Sequence, residues 1–100
     1  MTYTLKLHTS EDASTAACRA AEQRYRRALE AELGDASLVL PMHAAAQAIL
    51  TRYGDHPDLA ALTDAERHIF EQWQMAETAA LTAALGPHRY LDDAWFEIGT

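Results

Sequence analysis

Three polar residues have the spacing of a helical metal site. Asp64, His68 and Glu71 are four and three residues apart, which places them on one side of a helix. Carboxylate oxygens and an imidazole nitrogen in this arrangement can bind a divalent ion. A solvated polar face explains the same spacing, because no second helix repeats the ligand set. A small metal-binding or catalytic protein therefore stays as an alternative, and we expect no bound cofactor.

The short motifs of common catalytic sites are missing from the sequence. It contains no glycine-rich phosphate loop, no G-x-S-x-G elbow and no H-E-x-x-H motif. Cys18 is the single cysteine, so one chain forms neither an internal disulfide nor a metal site built from several cysteines. Enzyme activity is left open by the many carboxylates, but the sequence favours a non-enzymatic protein.

The excess negative charge is placed unevenly along the chain. The net charge is −7, yet residues 1–34 hold five acids and five bases. Between Asp55 and Glu77 the single base is Arg67, and the six acids are Asp55, Asp58, Asp64, Glu66, Glu71 and Glu77. Such a surface repels nucleic acid and attracts a basic partner.

These observations favour a small acidic protein that binds another protein. We expect Asp55, Asp58, Asp64 and Glu71 to dock on the basic surface of a nucleic-acid-handling complex, as an inhibitor or adaptor that imitates the charge of DNA would. A dimeric accessory protein, whose partner is a second copy, is another alternative. No apolar run reaches the roughly 20 residues of a membrane span. The first residues lack a signal-peptide pattern, so we expect a cytoplasmic protein without direct nucleic-acid or membrane contact.

The longest helical pattern extends from Thr63 to Leu85. Thr63 and Glu66 form a capping-box pattern at its start, and Gly86 followed by Pro87 marks its end. Apolar residues recur at helical spacing and place Trp73 on the buried side. Glu77 lies on the flank of this stripe, where we expect it to be half-exposed, paired with a cation or used in binding.

Two more helices are predicted, from about Ser10 to Leu33 and from about Pro41 to Tyr53. A glycine follows each of them. The connecting Asp35–Leu40 segment fits either a short strand or the approach to the second helix, and Pro57–Leu62 can add one short helical piece. Arg24 lies on the apolar side of the first helix and needs an acceptor. We expect an ion pair of Arg24 with Glu77 or Glu32.

The two ends of the chain have the alternating pattern of strands, at Thr2–His8 and Ala94–Ile98. One domain of 100 residues is expected, with an α+β fold in which three main helices pack over a small sheet formed by the terminal strands. Alternation places Phe96 inward, and it places Trp95 and Glu97 outward, with Lys6 as a partner for Glu97. We expect Trp95 to be an exposed anchor for a partner or a second copy; alternatively, it completes the core.

Overall fold

The computed structural model describes residues 3–9, 14–86 and 94–99. The elements in chain order are β1 (Thr4–His8), α1 (Thr15–Leu33), α2 (Val39–Tyr53), α3 (Asp64–Leu85) and β2 (Trp95–Gly99). Short 3-10 turns precede α2 at Ala36–Leu38 and α3 at Leu59–Ala61. The protein has the expected fold, which is mostly helical, with three helices and a two-stranded antiparallel sheet formed by the N- and C-terminal strands.

The ends of the helices follow the local sequence signals. The Thr63 hydroxyl accepts the backbone N–H of Glu66, and the Glu66 carboxylate accepts that of Thr63, which completes the predicted capping box. Gly34 ends α1 with a φ of 86°, a backbone conformation that residues with a Cβ rarely adopt. Its N–H donates to the carbonyl of Glu30, as expected for a helix C-terminus.

Two helix starts differ from the sequence-based expectation. The first described turn of α1 begins at Thr15, where the Ser14 side chain accepts the N–H of Ala17. The expected start at Ser10 lies outside the described residues. Helix α2 begins at Val39 instead of Pro41, because a 3-10 turn capped by Asp35 continues directly into it. The Asp35–Leu40 segment is therefore helical, and its strand alternative is wrong.

The main core lies between α1 and α3. Its buried side chains include Tyr25, Leu29 and Leu33 of α1, and Trp73, Ala76, Ala80 and Ala84 of α3. The alanines allow the two helix backbones to approach closely, so the larger side chains of α1 fill the interface. Trp73 is only 3% exposed, which confirms the expected helix phase. A smaller cluster of Ile49, Leu62 and Phe70 joins α2 to the start of α3.

The sheet covers one side of this core. Leu7 pairs with Phe96 and Leu5 with Ile98 in the antiparallel register. Tyr3 and Leu7 are buried, and the ring of Phe96 stacks on Tyr25 with centroids 4.1 Å apart. The predicted alternation is confirmed in both strands.

Side chains of α1 engage part of the outer edge of β1. The backbone N–H of Leu7 donates to Glu22 over 2.9 Å, and Arg26 donates to the carbonyl of Tyr3 over 3.4 Å. The Tyr3 hydroxyl also donates to Glu30, one turn further along the same helix. These contacts hold β1 against α1 and satisfy backbone groups that have no partner in β2.

Arg24 bonds to the α3 backbone and not to a carboxylate. Its Nη2 donates to the carbonyl of Ala84 over 2.8 Å, and it forms no ion pair with any described residue. The expected pairing with Glu77 or Glu32 is therefore wrong. Helix α3 has no basic residue in its last turn, so Arg24 supplies the positive charge that a helix C-terminus favours.

Replacing Trp73 by alanine tests the core. We expect Trp73→Ala to lower the free energy of unfolding by about 3–5 kcal/mol, because it leaves a large cavity between the helices. The matched variant Trp95→Ala removes a 55% exposed side chain and should cost less than about 1 kcal/mol. Urea titrations followed by circular dichroism measure both values. Equal losses in the two variants would contradict this assignment of the core.

Replacing Arg24 by methionine tests the bond to α3. We expect Arg24→Met to lower the free energy of unfolding by about 1–3 kcal/mol, since a charge-assisted hydrogen bond at a helix end is lost. Arg27 is an exposed arginine of the same helix, so Arg27→Met is the matched control and should change stability little. The same urea titration compares them, and identical midpoints would show that Arg24 does not stabilise the fold.

Candidate functional site

An open groove of about 430 Å³ lies between β2 and the helices α2 and α3. The described residues that line it are Tyr25, His43, Gln47, Glu77, Leu81 and residues 94–98. Ala94 and the first four residues of β2 take part, although neighbouring residues of a strand point to opposite faces of the sheet. The groove therefore follows the edge of β2 and does not lie under one face.

Glu77 supplies a half-buried carboxylate to this groove. Its Oε2 accepts the indole N–H of Trp73 over 2.9 Å, four residues earlier on α3. Its Oε1 forms no hydrogen bond with any described residue. The pKa of the Tyr25 hydroxyl is raised mainly by burial and to a smaller extent by the negative charge of Glu77. The hydroxyl therefore stays neutral. Glu77 is thus oriented by the core tryptophan and brings a negative charge to the groove lining.

His43 is the titratable residue on the α2 side of the groove. Its ring lies 5.4 Å from the Trp73 ring, centroid to centroid. Burial lowers the pKa of His43, and the negative charge of Glu77 opposes that effect. The imidazole is mainly neutral at pH 7, because its pKa lies below the ordinary value of about 6.5. The described lining thus offers carboxylates to a ligand and no cationic side chain.

Trp95 and Glu97 form the outer rim. Trp95 is 55% exposed, as expected, and its ring stacks on His8 with centroids 4.3 Å apart. Glu97 lies opposite Lys6 in the register, but its carboxylate contacts His8 Nε2 at 2.7 Å. The expected pairing of Glu97 with Lys6 is therefore replaced by a diagonal pairing, because the stacked His8 ring brings its nitrogen within reach.

The backbone of β2 is open along the groove. In an antiparallel pair, alternate residues direct both their N–H and C=O towards the same edge. The N–H of Leu7 points to α1, so Leu7 and Phe96 face each other without exchanging hydrogen bonds. Two residues along, Leu5 and Ile98 have the same relation. Phe96 and Ile98 therefore direct their backbone groups away from β1, where the described residues offer no partner.

The other four acidic candidates lie away from the groove lining. Asp55 and Glu71 are exposed, and Asp58 accepts the backbone N–H of Ala60 as the cap of a 3-10 turn. Asp64 is fully exposed, with Oδ1 3.8 Å from Arg67 Nη1. Glu71 follows Asp64 by seven positions, about two helical turns, so the two share one side of α3. Glu77 follows Glu71 by six positions and is therefore turned by about 120° from it.

The metal alternative gains no support from the geometry. Within residues 3–9, 14–86 and 94–99, no group of three His, Cys, Asp or Glu side chains is placed to hold a metal ion. This includes Asp64, His68 and Glu71, although they share one side of α3. Their spacing instead fits a solvated polar face, since all three residues are exposed.

Sequence reasoning identified Trp95, Glu97 and Glu77 but missed the α2 side of the groove. His43 and Gln47 are four residues apart and therefore lie on one side of α2. They border the apolar face that contains Met42 and Ala46, and this position is the signal that could have pointed to a site at the edge of the core. What brings them to β2 is tertiary packing, which no local spacing reveals.

The comparisons with known proteins add no relative. No family model matches the chain, and neither a curated protein nor a solved structure is significantly similar to it.

Among the described helices, none alone has the length and apolarity of a membrane span. The segments Thr15–Leu33 and Ala36–Tyr53 together have that length and apolarity, but the two are bent by 92° relative to each other.

The titration of His43 tests the electrostatics of the groove. We expect nuclear magnetic resonance to give a His43 pKa below about 6.5, because burial disfavours the imidazolium. Glu77→Gln should lower this pKa further, since the carboxylate that favours the cation is gone. The stability contributed by neutral His43 is complete above the ordinary pKa and is lost as the pH falls towards the lowered one. An unchanged pKa in Glu77→Gln would show that the two groups do not interact.

Proposed function

We propose that this protein acts by binding another protein that presents a basic surface, as an inhibitor or adaptor of a nucleic-acid-handling complex. The observation that carries the proposal is the exposed Trp95 at the rim of a groove that also contains Glu77 and Glu97. Tryptophan is enriched among the residues that dominate interface energy. Its ring also attracts cations, so Trp95 and the carboxylates favour the same kind of partner group.

The exposed acidic residues support the same class of partner. Asp55, Asp58, Asp64 and Glu71 are solvated, and Arg67, the single base of this region, lies near Asp64 and Leu59. Exposed charges contribute little to affinity one by one, but their summed field accelerates the encounter with an oppositely charged surface. We assign them the role of steering, while the groove and Trp95 supply the close contacts.

Nucleic-acid-handling proteins are the natural source of a basic surface. They present clustered lysine and arginine to bind phosphates. An acidic protein that covers such a surface competes with the nucleic acid, which is the physical basis of inhibition by charge imitation. An adaptor would use the same contact without blocking the nucleic acid, and competition distinguishes the two roles.

The experiment starts with partners captured from the native host and eluted with rising salt. Each captured protein is then purified, and its Kd for the wild type is measured across about a tenfold range of ionic strength. We expect a basic partner whose affinity falls with salt. Asp55→Asn/Asp64→Asn/Glu71→Gln should weaken binding about tenfold or more at low salt, mainly through slower association.

Gln72→Ala/Gln74→Ala is the matched control, since it alters two exposed uncharged residues of α3. It should bind like the wild type. For the inhibitor role, the wild type should displace a fluorescent DNA duplex from the partner, while an adaptor would leave it bound. A partner whose affinity ignores salt and is the same for the charge-neutral variant would overturn the proposal.

A further inference from the structure

The two edges of the sheet differ in a way that bears on recognition. On the edge of β1, side chains of α1 engage two backbone groups: Glu22 accepts the N–H of Leu7 and Arg26 donates to the C=O of Tyr3. The edge of β2 leaves the backbone N–H and C=O of Phe96 and Ile98 without a partner among the described residues. Unpaired groups on an edge strand form a template for another strand, and this mode of binding recurs in peptide recognition. The open edge of β2 therefore has the geometry of a strand acceptor.

The groove fixes what such a strand should contain. An added strand would lie about 4.8 Å from β2 and run along the groove that α2 and α3 border. Its alternate side chains then point into the groove, where Tyr25, Leu81 and Phe96 form an apolar floor. A long basic side chain can cover this floor with its carbon stem while its charged end reaches polar atoms.

Two carboxylates are placed to receive that charged end. Glu77 is anchored by Trp73 through Oε2 and is part of the groove lining. Glu97, whose Oε1 contacts His8, and Trp95, whose ring stacks on His8, also line the groove and can add to the attraction for a cation. Arginine and lysine are the side chains that combine a long apolar stem with a donor for a carboxylate.

A second copy of this chain fits the edge less well. Residues 94–99, AWFEIG, contain no lysine or arginine, so a copy of β2 would bring Glu97 and no cation into the groove. Each copy also has a net charge of −7, so pairing two of them brings like charges together. Charge complementarity instead favours a basic strand from a different protein.

We infer that the open edge of β2 binds an extended segment of the partner protein as a third strand, with an arginine or lysine of that segment seated between Glu77 and Trp95. This inference rests on the proposed function and specifies how the partner is recognised. Backbone hydrogen bonds to Phe96 and Ile98 give the segment its register, and the groove selects its basic residue.

The probe is a synthetic peptide in which threonine and valine alternate around a central arginine. Its controls are the same peptide with glutamate in place of arginine, and one with N-methyl groups on alternate amides. We expect the arginine peptide to shift the ¹⁵N–¹H signals of Phe96 and Ile98 and to slow the exchange of those amides. Glutamate should abolish binding, and N-methylation should abolish it because the strand can no longer donate hydrogen bonds.

Variants of the protein test the side-chain pocket. Glu77→Gln keeps an acceptor for Trp73 and should weaken the arginine peptide about tenfold, while affecting an uncharged peptide little. Trp95→Ala should weaken it several-fold and leaves the core in place, which the urea titration checks. An arginine peptide that binds Glu77→Gln as tightly as the wild type, or that leaves the Phe96 and Ile98 amides unchanged, overturns the inference.

The outcomes also separate this inference from the proposed function. If the peptide fails while a basic partner still binds in a salt-dependent manner, the partner uses the acidic surface of α3 alone and the strand inference is wrong. If the amides of Phe96 and Ile98 become protected with rising concentration of the protein by itself, and its mass doubles, a second copy occupies the edge. That result too would overturn the assignment of the edge to a basic partner.

Discussion

Close packing of α1 on α3 is the constraint on which the rest of the structure depends. Ala76, Ala80 and Ala84 keep the α3 surface low, so the large side chains of α1 reach across the interface. Tyr25 is the residue through which this packing extends to the sheet, because it belongs to the same core cluster as Trp73 and its ring stacks on Phe96 of β2. The position of β2, and with it the groove, is set by the spacing of two helices.

A single carboxylate links the core to the groove. Glu77 accepts the indole N–H of Trp73, so the side chain that fills the core also fixes the charge beside it. A half-buried carboxylate without such a donor would pay a desolvation cost with nothing to offset it. This arrangement differs from that of the exposed acids of α3, which are free to move and can act only through their field. Glu77 is thus a positioned negative charge in the groove, whereas Asp64 and Glu71 lie exposed on α3.

The sequence predicted the elements better than the contacts between them. The capping box at Thr63, the glycine after α1 and the alternation of the terminal strands are local signals, and each was confirmed. Arg24 was assigned a carboxylate because periodicity shows which side of a helix is buried but not which backbone carbonyl lies opposite. The groove was missed for the same reason, since His43 reaches β2 only after α2 has packed.

The unequal edges of the sheet also limit how copies of this protein can assemble. A two-stranded sheet with two open edges can be extended by further strands on both sides. Such addition can propagate into a fibre. Glu22 and Arg26 engage backbone groups on the outer edge of β1, where α1 packs, so growth of the sheet is hindered on that side. Any chain that adds to β2 therefore ends the sheet unless it brings an open edge of its own. The two-stranded sheet can therefore be extended mainly on one side, which protects a small protein with an exposed strand from polymerisation.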